Sequence, residues 1–536
     1  MWLVIPALLP IIIALLLMCK FKVAPGKAML TAWLLAAVSG IAIWQMLPTQ
    51  VIAATFQGVF KSLDIILIIF GALYLLNVLR QSGAINVINN SFSGISNDRR
   101  IQILVIAWLF SGFVEGASGF GAAPALAAPL LAGLGFPALI AVVVSLICNT
   151  LPVPFGAVGI PAQTAVSCVS TQLAQSGTAP EQFSYEMLDK LTLISGISGV
   201  AIPLAAIAAM LILSGGKRKV RSFVEIIPLA VFSAIAFILP WRYTALWMGP
   251  ELPAMTGALI GLPLTLLCIK TGFLVPKYVW DFPGAKPAVK ITAAGEKKMS
   301  PFQAWLPYLI MALLLLILRS PILPVTEFLG KVKIVLPEMF GIEGSGAVWK
   351  ILCNPGLIPI TMIAFGSALC WKLPKKEQSD ILKNTCKQIY MSAIAIAAST
   401  AVVQIMIASG NNHADYPGML TCTANAIAGV MGKAYLAASP FIGIFGTFFA
   451  GSCTVSNILF ASLQFDTARM LNIDPALTVA LQNGGGGLGS MIRISGVIAA
   501  CATVNAAGKE GKVILINTIP AVILALLMAL LAWLIG

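Results

Sequence analysis

Apolar runs long enough to cross a bilayer recur along the whole chain, and they leave little choice of fold. Residues 2–18, 28–47, 191–213, 388–408 and 513–535 are the clearest. A spanning helix needs about 20 such residues, because inside lipid the backbone must satisfy its own hydrogen bonds. Composition agrees: of 536 residues, 59% are hydrophobic and 10% are charged. Soluble domains carry about a quarter charged residues, so a soluble enzyme and a disordered chain are both excluded. Twelve spans would use roughly 240 residues, which leaves ample chain for loops and half-spans. The expected fold is an all-α polytopic membrane protein with about 12–14 transmembrane helices.

The net charge of +14 does not point to nucleic acid. Lys and Arg gather in short loops: Lys20, Lys22 and Lys27, then Arg80, Arg99 and Arg100, then 217–221, 270–298, 372–387, and Lys509 with Lys512. Positive loops stay cytoplasmic. The intervening loops are neutral, mixed or acidic, as in Glu181, Glu186 and Asp189, 242–251, 319–350 and 411–415. They fall outside, as do both chain ends. Positive charge follows the first apolar run instead of preceding it, so that run reads as an uncleaved first span and not as a signal peptide. The ten cysteines are scattered without a Cys-x-x-Cys pair, and there is one histidine. No metal centre or other cofactor is expected.

The order of the chain suggests four parts. Residues 1–60 are N-terminal spanning helices, 61–213 a first transport repeat, 214–354 connecting and scaffold helices, and 355–536 a second repeat. The segment between Arg100 and Glu181 runs from inside to outside. The segment between Asp415 and Lys509 runs the other way. Their markers correspond: Phe113, Gly116, Pro137-Ala138-Leu139 and Gly159 against Phe448, Gly451, Pro475-Ala476-Leu477 and Gly496. Related segments of opposite direction form inverted-topology repeats, a build of secondary transporters that brings re-entrant hairpins and discontinuous helices.

Each segment is interrupted twice: at 112–121 (GFVEGASGFG) and 148–161 (CNTLPVPFGAVGIP), then at 451–457 (GSCTVSN) and 482–489 (QNGGGGLG). Glycine and proline end helices there. Such backbone is tolerated at membrane depth only where it lines a cavity or is buried in protein. Helix halves beginning at a break expose N–H groups and a positive dipole end, which attract anions. The candidate binding residues are Ser118, Gly119, Gly121, Asn149, Thr150, Gly451, Ser452, Thr454, Ser456, Asn457, Gln482, Asn483 and Arg493. They suit a small carboxylate bearing a hydroxyl. Glycine and serine also serve plain helix packing, and that reading stands beside the first.

Glu115 is ionisable within a run that should lie in lipid, a placement that marks a pathway or a proton relay. Its candidate role is proton coupling; capping a half-helix is the alternative. Arg493 follows the fourth break. It could meet a substrate carboxylate, pair with Glu115, or reach toward the interface. Asp64 lies near Lys61 at a span end and is a weaker intramembrane candidate, and His413 reads as a solvated loop residue. The glycines 484–487 lack the Gly-Lys-Ser/Thr of a phosphate loop, so ATP binding is rejected. No paired carboxylates or nucleophile–base pair suggest an enzyme.

The strings GFVEGASGFG, GLGF (133–136), CNTLPVPFGAVGIP, GSCTVSNILFASLQ, MIRISGVIAACATV (491–504) and GKEG (508–511) closely resemble the lactate permease family, from about residue 62 to the last span. The resemblance implies bacterial inner-membrane symporters that take up lactate, and often glycolate, with protons. It also implies two hairpins, near 115–135 and 451–466, meeting at the midplane. Cys453 stands where the family leads one to expect an acidic residue, and Arg493 where it leads one to expect less charge. A sodium-coupled carboxylate transporter is the alternative, since unwound carbonyls also coordinate Na⁺.

Overall fold

Many helices of this chain begin at a proline. Pro48–Gln81, Pro180–Gly199, Pro253–Thr271, Pro301–Arg319 and Pro475–Gly489 all do. The first helical position needs no N–H partner, so proline starts a helix there without loss and fixes its direction. The structure, a computed structural model, describes residues 2–535 except 20, 22, 24, 91–94, 120, 216–218, 283–298, 320–324, 343, 355 and 507.

The protein is an all-α polytopic membrane protein. Among the described residues, six helices are long and apolar enough to cross a membrane. They are Arg99–Ala117, Pro180–Leu213, Lys219–Met248, Pro253–Thr271, Lys375–Ala408 and Glu510–Ile535. A seventh candidate is broken: Ala138–Cys148 and Val153–Cys168 meet at 66°. Shorter apolar helices of 10–17 residues accompany them, among them Ala122–Gly133 and Met419–Met431. Glu510–Ile535 exposes Leu515, Ile519 and Trp533, as a lipid-facing helix does, whereas every residue of the Ile103–Phe110 turns is buried within protein.

The helices that matter for the site are α1 (Pro48–Gln81), α2 (Ser111–Ser118), α3 (Ala122–Gly133), α4 (Ala138–Cys148) and α5 (Gly156–Cys168). Late in the chain come α6 (Tyr435–Ala450), α7 (Cys453–Met470), α8 (Pro475–Gly489) and α9 (Ile494–Thr503). The element order recurs. A glycine turn joins α2 to α3 and α6 to α7, and a short stretch without α-helix joins α4 to α5 and α8 to α9, the former holding a single 3-10 turn at Val153–Phe155. Packing is reciprocal: α5 lies against α7, and α9 lies against α3. Each late or early unit thus sets its post-break helix on the other unit's hairpin.

The breaks are narrower than the sequence pattern suggests. The first begins only after Ser118, since α2 stays helical through Gly112 and Gly116 to Ser118. The third occupies only Gly451 and Ser452. The glycines at 484–487 do not break α8 at all; the helix runs to Gly489 and the break follows at 490–493. They are packing residues. A Cβ on Gly485 would overlap the Pro440 carbonyl of α6, and one on Gly489 would sit 2.7 Å from the Ile444 oxygen. Close helix approach through small residues outweighs glycine's poor helix propensity.

Two features outside the site also differ from expectation. Arg99 and Arg100 are buried, not solvated loop residues. Asp98 caps the helix that begins at Arg99, accepting from Arg100 N at 2.9 Å. The Arg100 guanidinium donates to both Asp98 oxygens, at 3.0 and 2.6 Å, and to the carbonyls of Ser222 and Tyr278. Within 319–350, β1 (Ile334–Leu336) and β2 (Ala347–Trp349) pair antiparallel, with Val335 opposite Val348.

Candidate functional site

The two hairpin turns and the α4–α5 break converge on one small cavity of ≈ 20 Å³. Gly119 and Gly121 turn the chain out of α2 with φ of 59° and 83°, and Gly451 ends α6 with φ of 72°. Only glycine enters that region without steric cost. At the α4–α5 break, Ala157 and Val158 are held at φ of 45° and 59°. Such residues cost on the order of 1–3 kcal/mol each and persist where surrounding structure imposes them. Glu115, Gly119, Gly156, Ala157, Ser452, Cys453, Thr454 and Arg493 line the cavity.

Glu115 projects from α2 and is buried; Asn149 Nδ2, just past the end of α4, donates to its Oε2 at 3.1 Å. On its other side Gly156 leaves the space, since a Cβ there would lie 2.9 Å from Oε1. Arg493 precedes α9 and is 7% exposed. Its guanidinium touches both hairpin turns: Nη1 donates to the Gly451 carbonyl at 3.4 Å, and a Cβ on Gly121 would overlap Nη2. Nε is buried and has no partner. Among the described residues no carboxylate lies within ion-pair distance of Arg493. A cation and a carboxyl therefore face one cavity without closing on each other.

The other expected residues divide. Ser452 and Thr454 line the cavity. Ser456, Asn457, Gln482 and Asn483 are fully buried between α7 and α8 in a network that meets the cavity through Cys453, whose Sγ donates to Asn483 Oδ1 at 3.5 Å. Asn457 Nδ2 donates to Asn483 Oδ1 at 2.8 Å and to the Pro161 carbonyl of α5 at 2.9 Å. Gln482 Nε2 donates to Ser456 Oγ at 2.9 Å. These residues join α7 to α5 and α8, and only Asn483 Nδ2 is left unpartnered in the network. Thr150 turns back to the Ile147 carbonyl at 2.8 Å and closes the end of α4. The side chains of Ser118 and Asp64 lie outside the described residues. His413 is exposed in its loop.

Sequence reasoning missed Gln464 and Glu251. Gln464 extends the network, donating to Gln482 Oε1 at 3.1 Å and accepting from Tyr435 and Ser439. Its spacing from Asn457 on α7 (i, i+7) was a usable signal. Glu251, expected in the outer loop 242–251, is buried and accepts from Gln163 of α5 at 3.1 Å. Among the described residues no cluster of His, Cys, Asp and Glu could hold a metal ion.

Discontinuous helices enclosing a buried cation and carboxyl, within a multi-pass helical membrane protein, define a membrane transporter. The sequence model of the L-lactate permease family matches residues 4–536. The chain belongs to that family, whose members are permeases and not enzymes. It is 29% identical to the L-lactate permease of Bacillus subtilis (strain 168), over 94% of this chain and 90% of that protein. It is 28% identical to the glycolate permease GlcA of Escherichia coli (strain K12), over the same 94% and 90%. A solved structure, the YdaH transporter of Alcanivorax borkumensis, superposes with a TM-score of 0.42 at 13% identity, over 87% of this chain and 84% of that one.

Proposed function

We propose that this permease imports a small 2-hydroxy monocarboxylate, lactate or glycolate, together with protons across a bacterial inner membrane, with both termini outside. The observation that carries the reading is the Arg493 guanidinium, buried with Nε unpartnered, in the same cavity as Glu115. A buried cation without a counter-ion is costly, and an incoming carboxylate supplies one. The fork of donors suits a planar carboxylate. Ser452 and Thr454 offer polar contacts for the 2-hydroxyl. Glu115 carries the proton, held in place by Asn149. Names of relatives that transport lactate and glycolate support the same substrate class.

A cavity needs about 10–15 Å³ to hold one water, so ≈ 20 Å³ is too small for lactate. Binding must therefore part the hairpins, and transport then proceeds by rocking one repeat against the other. The assay is proteoliposome uptake with either a proton gradient or a sodium gradient alone. A proton gradient drives lactate accumulation; accumulation driven by sodium alone overturns the coupling. Glu115→Gln loses gradient-driven accumulation but keeps lactate counterflow, whereas Arg493→Gln loses both. Full accumulation by Glu115→Gln removes it as the coupling residue.

A further inference from the structure

A second cavity, of ≈ 330 Å³, lies one step along α5 from the first. Ile160 and Pro161 line the central cavity, and Gln163 and Ser167 line this one. Ile160, Gln163 and Ser167 are spaced i, i+3, i+7, so they share one face of the helix. The step from Ile160 to Gln163 is about 4.5 Å at 1.5 Å per residue. Gln163 forms the boundary: its Nε2 donates to the Val158 carbonyl of the break and to Glu251, both at 3.1 Å.

The second cavity is cationic. Lys61 of α1 and Lys350 line it. The Lys61 ammonium donates to a neutral oxygen, Gln404 Oε1, at 3.4 Å. Among the described residues no carboxylate lies within ion-pair distance of it. An ammonium in an apolar helix bundle is expensive and is normally matched by an anion. The β1–β2 hairpin roofs the space. Gln57 of α1 donates to the carbonyls of Gly344 and Gly346, at 2.6 and 3.0 Å, and Trp349 meets Phe60 edge to face. That hairpin belongs to 319–350, a loop that the charge distribution assigns to the outer side.

We infer that the cavity beneath the β1–β2 hairpin is an outer waiting site for a small organic carboxylate, with Lys61 as its counter-charge. The inference rests on the transport reading above for the direction of flow. A cleft of one charge sign raises the local concentration of its ligand and its capture rate. The effect falls with ionic strength. The anion then passes Gln163 along α5 when the hairpins part, and reaches Arg493.

The test uses the full chain in right-side-out vesicles. Lys61→Gln raises the KM for lactate uptake about tenfold, within the range expected of a focusing cleft. Vmax stays near that of the unsubstituted protein, and the dependence of uptake on ionic strength flattens. Lys61→Arg retains a near-normal KM, which also shows that the substituted position folds. An unchanged KM and salt dependence in Lys61→Gln overturns the inference, while continued counterflow by the unsubstituted protein leaves the transport reading intact. A second measurement does not depend on transport. Ser167→Cys is labelled from outside by anionic and by cationic impermeant thiol reagents of equal size, and is read on its peptide. The anionic reagent reacts faster only when Lys61 is present. Lactate slows the labelling even when Arg493→Gln has disabled the central site. Equal rates for both reagents, or loss of protection with Arg493→Gln, overturns the waiting site.

Discussion

Asn149 holds Glu115 across a helix break. Its amide nitrogen donates to the carboxyl at 3.1 Å, and both side chains are buried. Asn149 is the residue at which α4 ends, while Glu115 stands within α2. The place where α4 stops therefore sets the position of the carboxyl in the cavity.

Removing that donor tests the link. A hydrogen bond to a charged group contributes about 1.5–3 kcal/mol, and each 1.4 kcal/mol is about tenfold. Asn149→Ala is expected to lower gradient-driven lactate accumulation by about tenfold or more on those figures, at equal amounts of folded protein. Uptake normalised to the protein recovered in detergent provides the measurement. A rate equal to that of the unsubstituted protein would show that Asn149 does not position Glu115.

Gly121 and Gly177 separate backbone strain from contact with Arg493. Both hold positive φ, 83° and 68°. A Cβ at Gly177 meets nothing within 4 Å, whereas one at Gly121 overlaps the guanidinium. Alanine in the left-handed region costs about 1–2 kcal/mol at either site. Gly177→Ala is expected to lose a few degrees in melting temperature and keep its uptake. Gly121→Ala is expected to lose uptake as Arg493 is displaced. Equal uptake by the two variants would separate Arg493 from transport.

These residues show what a sequence can and cannot reveal here. Glu115 and Arg493 stood out because charge is rare in apolar runs, and the cavity holds both. The GFG turn and the proline-rich 148–161 stretch were legible as breaks because glycine and proline act locally on φ and on the N–H ladder. The run at 484–487 was not, because glycine serves equally to end a helix and to admit a neighbour. Only the Pro440 carbonyl lying against Gly485 decides between them. Gln163 and Glu251 are far apart in sequence and become a pair only through tertiary packing. The burial of Arg99 and Arg100 was likewise hidden, although Asp98 beside them carried a cap signal.

The packing role of the late glycines gives an opposite pair of outcomes. Gly485→Ala forces a methyl against the Pro440 carbonyl, an overpacking that typically costs about 1–3 kcal/mol. Gly429 lies in the helix Met419–Met431, with nothing within 4 Å of a built Cβ. There alanine gains about 0.5–1 kcal/mol over glycine in a helix. Thermal unfolding in detergent should place Gly485→Ala below the unsubstituted protein and Gly429→Ala level with it or above. A lower melting temperature for Gly429→Ala alone would invert the assignment.

The corner at Asp98 and Arg100 makes a stronger demand on the fold. Their closest contact is 2.6 Å, with side chains 3% and 1% exposed, respectively. Asp98 also caps the following helix and accepts from Trp280 N at 3.1 Å, so one carboxylate ties the cap, the guanidinium and the 278–282 segment together. Removing one partner of a buried ion pair costs about 3–5 kcal/mol because the other charge is left unmatched. Asp98→Asn keeps the cap and the shape but weakens the charge match, and is expected to reduce both the folded yield and the melting temperature. Arg100→Met removes the cation and leaves Asp98 serving its backbone donors. The double substitution is expected to melt above Asp98→Asn alone, since in the single variant the buried guanidinium keeps only the more distant Glu225 carboxylate, at 3.6 Å. A double variant that melts at or below Asp98→Asn would show that the corner is held by the arginine's contacts with the Ser222 and Tyr278 carbonyls and Glu225 instead of by its pairing with Asp98.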